Sequence, residues 1–407
     1  MSKAGLTART SLLLALTMVA AACGGGGGDD GGKAGGKPEY KIGFMGDLTG
    51  ATALLVVGGE KGARLAVKQA NASGDLPITL RLQAEDTGGD KDKAVSLANK
   101  LAANDKVLGV VGPAFSGESF SAGPIFQQAG IPQVTQTATN PGLAQQGWKA
   151  WFRGLGNDNS QGGPAPDIML NYLQGKKVFV AHDKTAYGEG LATIVRDGVR
   201  QKNAAGLVGF EAIDPGKEDY SAIASKIVSS GADVLFWGAY SPEGGKIITQ
   251  ARDKGFKGKY LGGDGSKEDN FVTTAKTAAE GAYALCPCAD VTVSDDPVAK
   301  EFLSDYKKEF NQDPIVYSGE GYDAARLILE SVRKAGKPSG DIRAYREKVT
   351  EGIRSVKDFK GTTKSYTFKP DGELVESSVT IFLYRVEGGK FKLVGKADDL
   401  LKGPPAA

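Results

Sequence analysis

The sequence predicts an α/β protein built on parallel sheets, and three observations carry that prediction. From Tyr40 onward, short β-rich runs take turns with stretches of helical spacing. Several of the runs, VLGVVG and VLFWGA among them, are continuously apolar, as strands are when helices cover both faces of a sheet. Near the C-terminus the rhythm changes to the alternation of antiparallel hairpins.

Taken in order, the strand candidates are Lys41–Leu48, Ile78–Asp86, Lys106–Gly112 and Ile131–Gln136, then Lys176–Asp183, Gly206–Ile213, Asp233–Tyr240 and Lys259–Gly265. Between them, Ala63, Val67 and Ala70 recur at i, i+4, i+7, as do Ala94, Ala98 and Leu101; Ile223, Ile227 and Val228 come after Asp219, a residue suited to a helix start. Asp296–Phe310, Tyr317–Ala335 and Asp341–Ile353 read as helices. Lys364–Gly395 then alternates, with turns at Pro370-Asp371-Gly372 and at Glu387-Gly388-Gly389-Lys390. So many strand–helix units exceed one small sheet, and two Rossmann-like lobes are the natural arrangement. An eight-stranded barrel is the structural rival, but a barrel does not usually end in hairpins.

The first residues read as an address. Lys3 and Arg9 precede the apolar run SLLLALTMVAAA. That run is about a dozen residues, short of the roughly 20 that a membrane span needs. A basic start, a short apolar core and small residues at its end describe a secretory signal over residues 1–22. Cleavage would expose Cys23, in a context that resembles a bacterial lipobox, with Ala20 where leucine is usual. The expectation is lipid on Cys23; the rival is an ordinary secretory signal with an incidental cysteine. Gly24–Pro38 is Gly-rich, has no large apolar side chain and reads as a tether, so that residues 23–38 are the lipidated cysteine and its tether.

Composition narrows the function. The chain has 407 residues, so two or three domains with proper cores are possible. Its 50 basic residues lose Lys3 and Arg9 with the signal, which leaves the rest balanced against 48 acidic ones. A neutral body is a poor partner for nucleic acid, whose phosphates supply most of the affinity. One histidine excludes a multi-histidine metal site. There is no P-loop, G-x-S-x-G, H-E-x-x-H or dinucleotide-binding glycine motif, so neither catalysis nor a cofactor is expected. His182 ends a strand with no nucleophile beside it and reads as structural. Cys286-Pro287-Cys288 reads either as two buried thiols or as a disulfide, with no chemistry assigned.

In open α/β sheets, ligands sit outside the carboxyl ends of the strands. The segments just beyond the strand candidates supply Ser116, Thr137, Thr139, Tyr187, Tyr240 and Asp264. These are hydroxyls, two tyrosines and one acid, with no cation. The set suits a small zwitterion: hydroxyls and backbone N–H groups for a carboxylate, Asp264 for an ammonium, aromatic rings for an aliphatic body.

Several long blocks then carry a resemblance: GARLAVKQANASG (Gly62–Gly74), TATNPGL (Thr137–Leu143), FRGLGNDNSQG (Phe152–Gly162), HDKTAYGEGLA (His182–Ala192), KEDYSAI (Lys217–Ile223), WGAYSPEGGKIITQARDKG (Trp237–Gly255) and GYDAARL (Gly321–Leu327). From about Lys41 to Gly395 the chain resembles the leucine/isoleucine/valine-binding branch of the type I periplasmic binding proteins. The resemblance implies two Rossmann-like lobes joined by three crossover strands, here 39–156 with 289–363 and 157–288 with 364–398. It implies a monomer that closes on an amino acid and presents it to the permease subunits of an ABC transporter. It implies that Ser116 and Thr139 hold the ligand carboxylate, that Thr137 contributes backbone groups, that Tyr187 and Tyr240 close from the second lobe, and that Asp264 holds the ammonium. Two positions depart from the family's pattern: Leu55 where an aromatic residue is usual, and Asp264 where glutamate is common. Small amides, urea-like compounds and aromatic acids are the alternative ligands. A sensing role on the same fold and a secreted α/β enzyme are the alternative functions.

Overall fold

Five parallel strands make the first sheet: β1 (Glu39–Gly46), β2 (Thr79–Asp86), β3 (Val107–Val111), β4 (Gln133–Thr135) and β5 (Trp151–Arg153), in the order β2-β1-β3-β4-β5. The structure is a computed structural model that describes residues 37–403. The signal, Cys23 and most of the tether lie outside the described residues. No helix among the described residues is long and apolar enough to cross a membrane.

The second sheet has seven strands. Its parallel part is β6 (Val178–His182), β7 (Leu207–Ala212), β8 (Val234–Trp237), β9 (Lys259–Gly262) and β10 (Tyr283–Cys286). A small hairpin of β11 (Phe359–Lys360) and β12 (Ser365–Tyr366) stands apart. The antiparallel hairpin of β13 (Phe382–Glu387) and β14 (Lys390–Lys396) then joins β10, which gives the order β14-β13-β10-β9-β8-β6-β7. Two open sheets, each with its own core, exclude the barrel.

Sequence pattern matches the position of several strands. The apolar runs of β3 and β8 are buried at every residue and lie inside. The edge strands β7 and β14 are half-buried or exposed, and their sequences carry the polar residues that an edge tolerates. The strands β5 and β10 are absent from the strand candidates. They have three and four residues, Trp151–Arg153 and Tyr283–Cys286.

Helix Val57–Ala72 packs against helix Ser318–Ala335 over the first sheet. Glycines permit their close approach: a Cβ on Gly62 would collide with the Ser318 carbonyl, and one on Gly321 with the Gly59 carbonyl. The helices expected near the C-terminus form at Pro297–Phe310, Ser318–Ala335 and Ile342–Arg354.

The chain passes between the sheets three times. The passages meet at Gly156, whose missing Cβ would lie 2.7 Å from Val379, 3.4 Å from Pro287 and 3.5 Å from Ile381. The last passage comes later than expected. The family pattern puts the return to the second lobe at Lys364, but Ser365–Tyr366 pairs with Phe359–Lys360, and Phe368 packs on Phe152 of the first sheet. The chain reaches the second sheet only at Phe382. The reason is the Asp323 carboxylate, which accepts from Thr362, Thr363 and the Tyr366 hydroxyl and so pins this segment to helix Ser318–Ala335.

His182 is buried at the end of β6, with Nδ1 accepting from the Lys184 N–H at 3.2 Å and its ring on Phe210. Cys286 and Cys288 are buried and bonded to each other.

Candidate functional site

Both sheets present their carboxyl ends to the same cleft, near the points where strand order reverses: β1/β3 in one, β6/β8 in the other. Five of the six expected residues line one cavity there: Ser116, Thr137, Tyr187, Tyr240 and Asp264. Leu55, Ala114, Phe115, Gly265 and Tyr317 complete its wall. The walls nearly touch, leaving about 10 Å³ open to a water-sized sphere. An amino acid therefore requires the walls to part.

On the first side, Ser116 opens helix Ser116–Ala129 shortly after β3. Buried Glu118 supports this turn by accepting from the Phe115 N–H at 3.3 Å and from the Thr87 hydroxyl. Burial raises the Glu118 carboxyl to about 7. The Ser116 hydroxyl oxygen accepts from the Asn140 N–H at 3.2 Å, which leaves its own proton free to donate. The Thr137 hydroxyl is committed to the Ala114 carbonyl. Thr139 does not line the cavity. It is buried one layer behind, where its carbonyl accepts from the Asp158 N–H at 2.9 Å and its hydroxyl lies beside the Asp158 carboxylate. A direct Thr139 hydroxyl contact with ligand is thus not what this arrangement presents.

Buried Arg153, at the end of β5, holds this loop from behind. Its guanidinium donates to the carbonyls of Ala138 and Asn140 and pairs with buried Glu373 at 2.9 Å.

On the second side, Asp264 is the hub. Its carboxylate accepts from the Tyr187 hydroxyl at 2.7 Å, from Gln161 Nε2 at 2.8 Å and from the Tyr317 hydroxyl. Burial raises its pKa, and these three donors pull it back only in part. No lysine or arginine among the described residues forms an ion pair with it. A buried carboxylate without a cation is costly, and an incoming ammonium would relieve it.

Sequence reasoning misses Tyr317. It comes from the first lobe with φ +63°, ahead of a helix rather than after a strand, so a search of strand ends cannot find it. Its hydroxyl crosses the cleft to Asp264. Asn140 Nδ2 also crosses, donating to the Ala186 carbonyl at 2.5 Å, and Phe115 meets the Tyr240 ring edge-on at 5.1 Å. These contacts join the lobes and must break when they part.

The family model for the periplasmic binding proteins matches residues 39–390. The chain belongs to that family, in its leucine/isoleucine/valine-binding branch. The leucine-, isoleucine-, valine-, threonine- and alanine-binding protein of Pseudomonas aeruginosa is 32% identical over 344 residues, covering 84% of this chain and 89% of that protein. The leucine-specific-binding protein of Salmonella typhimurium is 33% identical over 277 residues, 68% of this chain and 73% of that one. Among solved structures, the branched-chain amino acid transporter substrate-binding protein LivJ of Streptococcus pneumoniae, in complex with isoleucine, superposes with a TM-score of 0.78 at 28% identity, covering 88% of this chain and 99% of that one. The leucine-binding protein LivK of Thermotoga maritima gives the same TM-score at 26% identity, covering 88% of this chain and 98% of that one. The type I fold expected from the sequence is therefore the fold of this binding protein.

Proposed function

We propose that this chain is a lipid-anchored, extracytoplasmic binding protein that captures a small amino acid of the branched-chain type and hands it to the permease subunits of an ABC importer, without catalysis. The observation that carries this is Asp264. It is a buried acid with no cationic partner among the described residues, set opposite the free Ser116 hydroxyl, with Leu55, Phe115, Tyr187 and Tyr240 lining the same cavity. The ligand ammonium goes to Asp264 in place of the Tyr317 hydroxyl. The carboxylate goes to Ser116 and to backbone N–H groups of the Thr137–Thr139 loop, and the aliphatic body goes to the apolar wall. The ligand named for the Pseudomonas relative and the isoleucine held by the Streptococcus neighbour support the same class. Cys23 carries the anchor in this reading.

A thermal-shift screen of leucine, isoleucine, valine, threonine and alanine against small amides, urea-like compounds and aromatic acids tests it. A true ligand at 100 times its Kd adds about 2.7 kcal/mol of stability. A shift with an aromatic acid or an amide, and with no amino acid, would reassign the ligand class.

A further inference from the structure

Asp264 is not the only buried acid at this end of the cleft. Asp158, fully buried at the start of the short helix Asp158–Gly162, lies one residue away through Gln161. Gln161 spans the two: Nε2 donates to Asp158 Oδ1 at 3.2 Å and to Asp264 Oδ1 at 2.8 Å, while Oε1 accepts from the Asp264 N–H at 2.7 Å. Among the described residues, Asp158 Oδ2 has no hydrogen-bond partner closer than the Thr139 hydroxyl that lies beside the carboxylate. The charged neighbours do not neutralise the pair. Arg153, whose guanidinium charge reaches Asp158, is already paired with Glu373. From helix Ala186–Lys202 and from the turn before helix Ser318–Ala335, the facing groups are the hydroxyls of Tyr187 and Tyr317, which bring no charge. Thr139 faces Asp158 from the first lobe. Asp158 and Glu373 thus share one guanidinium, and no lysine or arginine among the described residues forms an ion pair with Asp264.

We propose that Asp158 and Asp264 act as one acid pair, bridged by Gln161, which holds a single proton until an ammonium group arrives and then releases it to solvent. Like charges this close cannot both ionise cheaply in a buried site. The proton belongs to the pair rather than to either residue. Burial first, and then the neighbouring Asp264 carboxylate, push Asp158 well above the usual range, which agrees with this geometry. Asp158 does not line the cavity and acts through Asp264, as a positioning residue. The inference rests on the reading that the ligand ammonium meets Asp264.

Proton and ammonium then compete. Acid weakens capture, and the apparent Kd changes about tenfold per pH unit while one proton is linked.

The test has two arms on the full chain. Carboxyl NMR on the ligand-free protein labelled with ¹³C at the aspartate carboxyls should show a carboxyl still protonated at pH 7. Its apparent pKa should fall in Asp158→Asn, and Asp183, whose carboxylate accepts from Thr185 and not from Gln161, should titrate as before. Calorimetry with L-leucine at pH 7, in two buffers of different ionisation heat, should show about one proton released per leucine, and much less in Asp158→Asn. No protonated aspartate at pH 7, or one unmoved by Asp158→Asn and by Asp264→Asn alike, overturns the pair. So does leucine binding without proton release. A protonated pair in the NMR arm with no leucine binding leaves the pair standing and sinks leucine as the ligand.

Discussion

Arg153→Met separates the two roles of the guanidinium behind the site. In the native protein its side chain is fully buried and Glu373 nearly so, with exposures of 0% and 7%. Removing the arginine leaves an uncompensated buried carboxylate, which costs about 3–5 kcal/mol. Unfolding entropy of about 2.1 cal/mol/K per residue over a body of roughly 370 residues is about 0.8 kcal/mol/K, so the melting temperature should fall by about 4–6 °C. Replacing both partners, in Arg153→Met with Glu373→Met, removes the stranded charge and should restore most of that loss. Ligand affinity should behave differently. Both variants lose the clamp on the Ala138 and Asn140 carbonyls, so both should bind L-leucine more weakly than the native chain. Differential scanning calorimetry and isothermal titration give the two readouts. If the single variant melts within about 1 °C of the native chain, or the double variant is no more stable than the single, the pair is not the buried ion pair that its hydrogen bonds describe.

Three other substitutions probe the cleft and its surroundings. Asp264→Ala removes a charge-assisted hydrogen bond of about 1.5–3 kcal/mol and should weaken amino-acid binding about tenfold or more with folding intact; an unchanged Kd by calorimetry would place the ammonium elsewhere. Burial raises Glu268 from 4.5 to about 9, so the folded chain binds more protons than the unfolded one between those values, and stability is lost as pH rises through that window. Glu268→Gln should flatten this loss, with the largest gain in melting temperature near the alkaline end. Tyr240→Ala deletes the ring that meets Phe115 across the cleft and should reduce the liganded fraction that is compact by small-angle scattering; a native-like decrease in radius of gyration would show that this contact does not hold the lobes shut.

Much of the candidate site was legible because one rule, that ligands gather at strand carboxyl ends, is written locally. Ser116, Tyr187, Tyr240 and Asp264 each come after a recognisable apolar run, and all four reach the same cavity. Thr139 obeyed the rule too, yet its side chain turned inward to Asp158, because a loop's facing depends on what it packs against. Gln161 and Asp158 lay in a block that marked the family, but nothing in that block announced that Gln161 would bridge to a carboxylate about a hundred residues later. Tyr317 carried no signal of its own.

The sequence by itself determined the alternation of strand and helix, the continuously apolar strands, the closing hairpin and the set of hydroxyls and acid at the strand ends. Each of these depends on side chains within a few residues of one another, and periodicity records them. Only the tertiary structure decided that the segment after Lys364 stays with the first lobe, that Tyr317 reaches across to Asp264, and that two aspartates lie together beside a single committed arginine. Those outcomes depend on groups distant in the chain whose burial and pairing exist only once the lobes have packed, and no local pattern encodes the charge that a buried carboxylate will or will not find beside it.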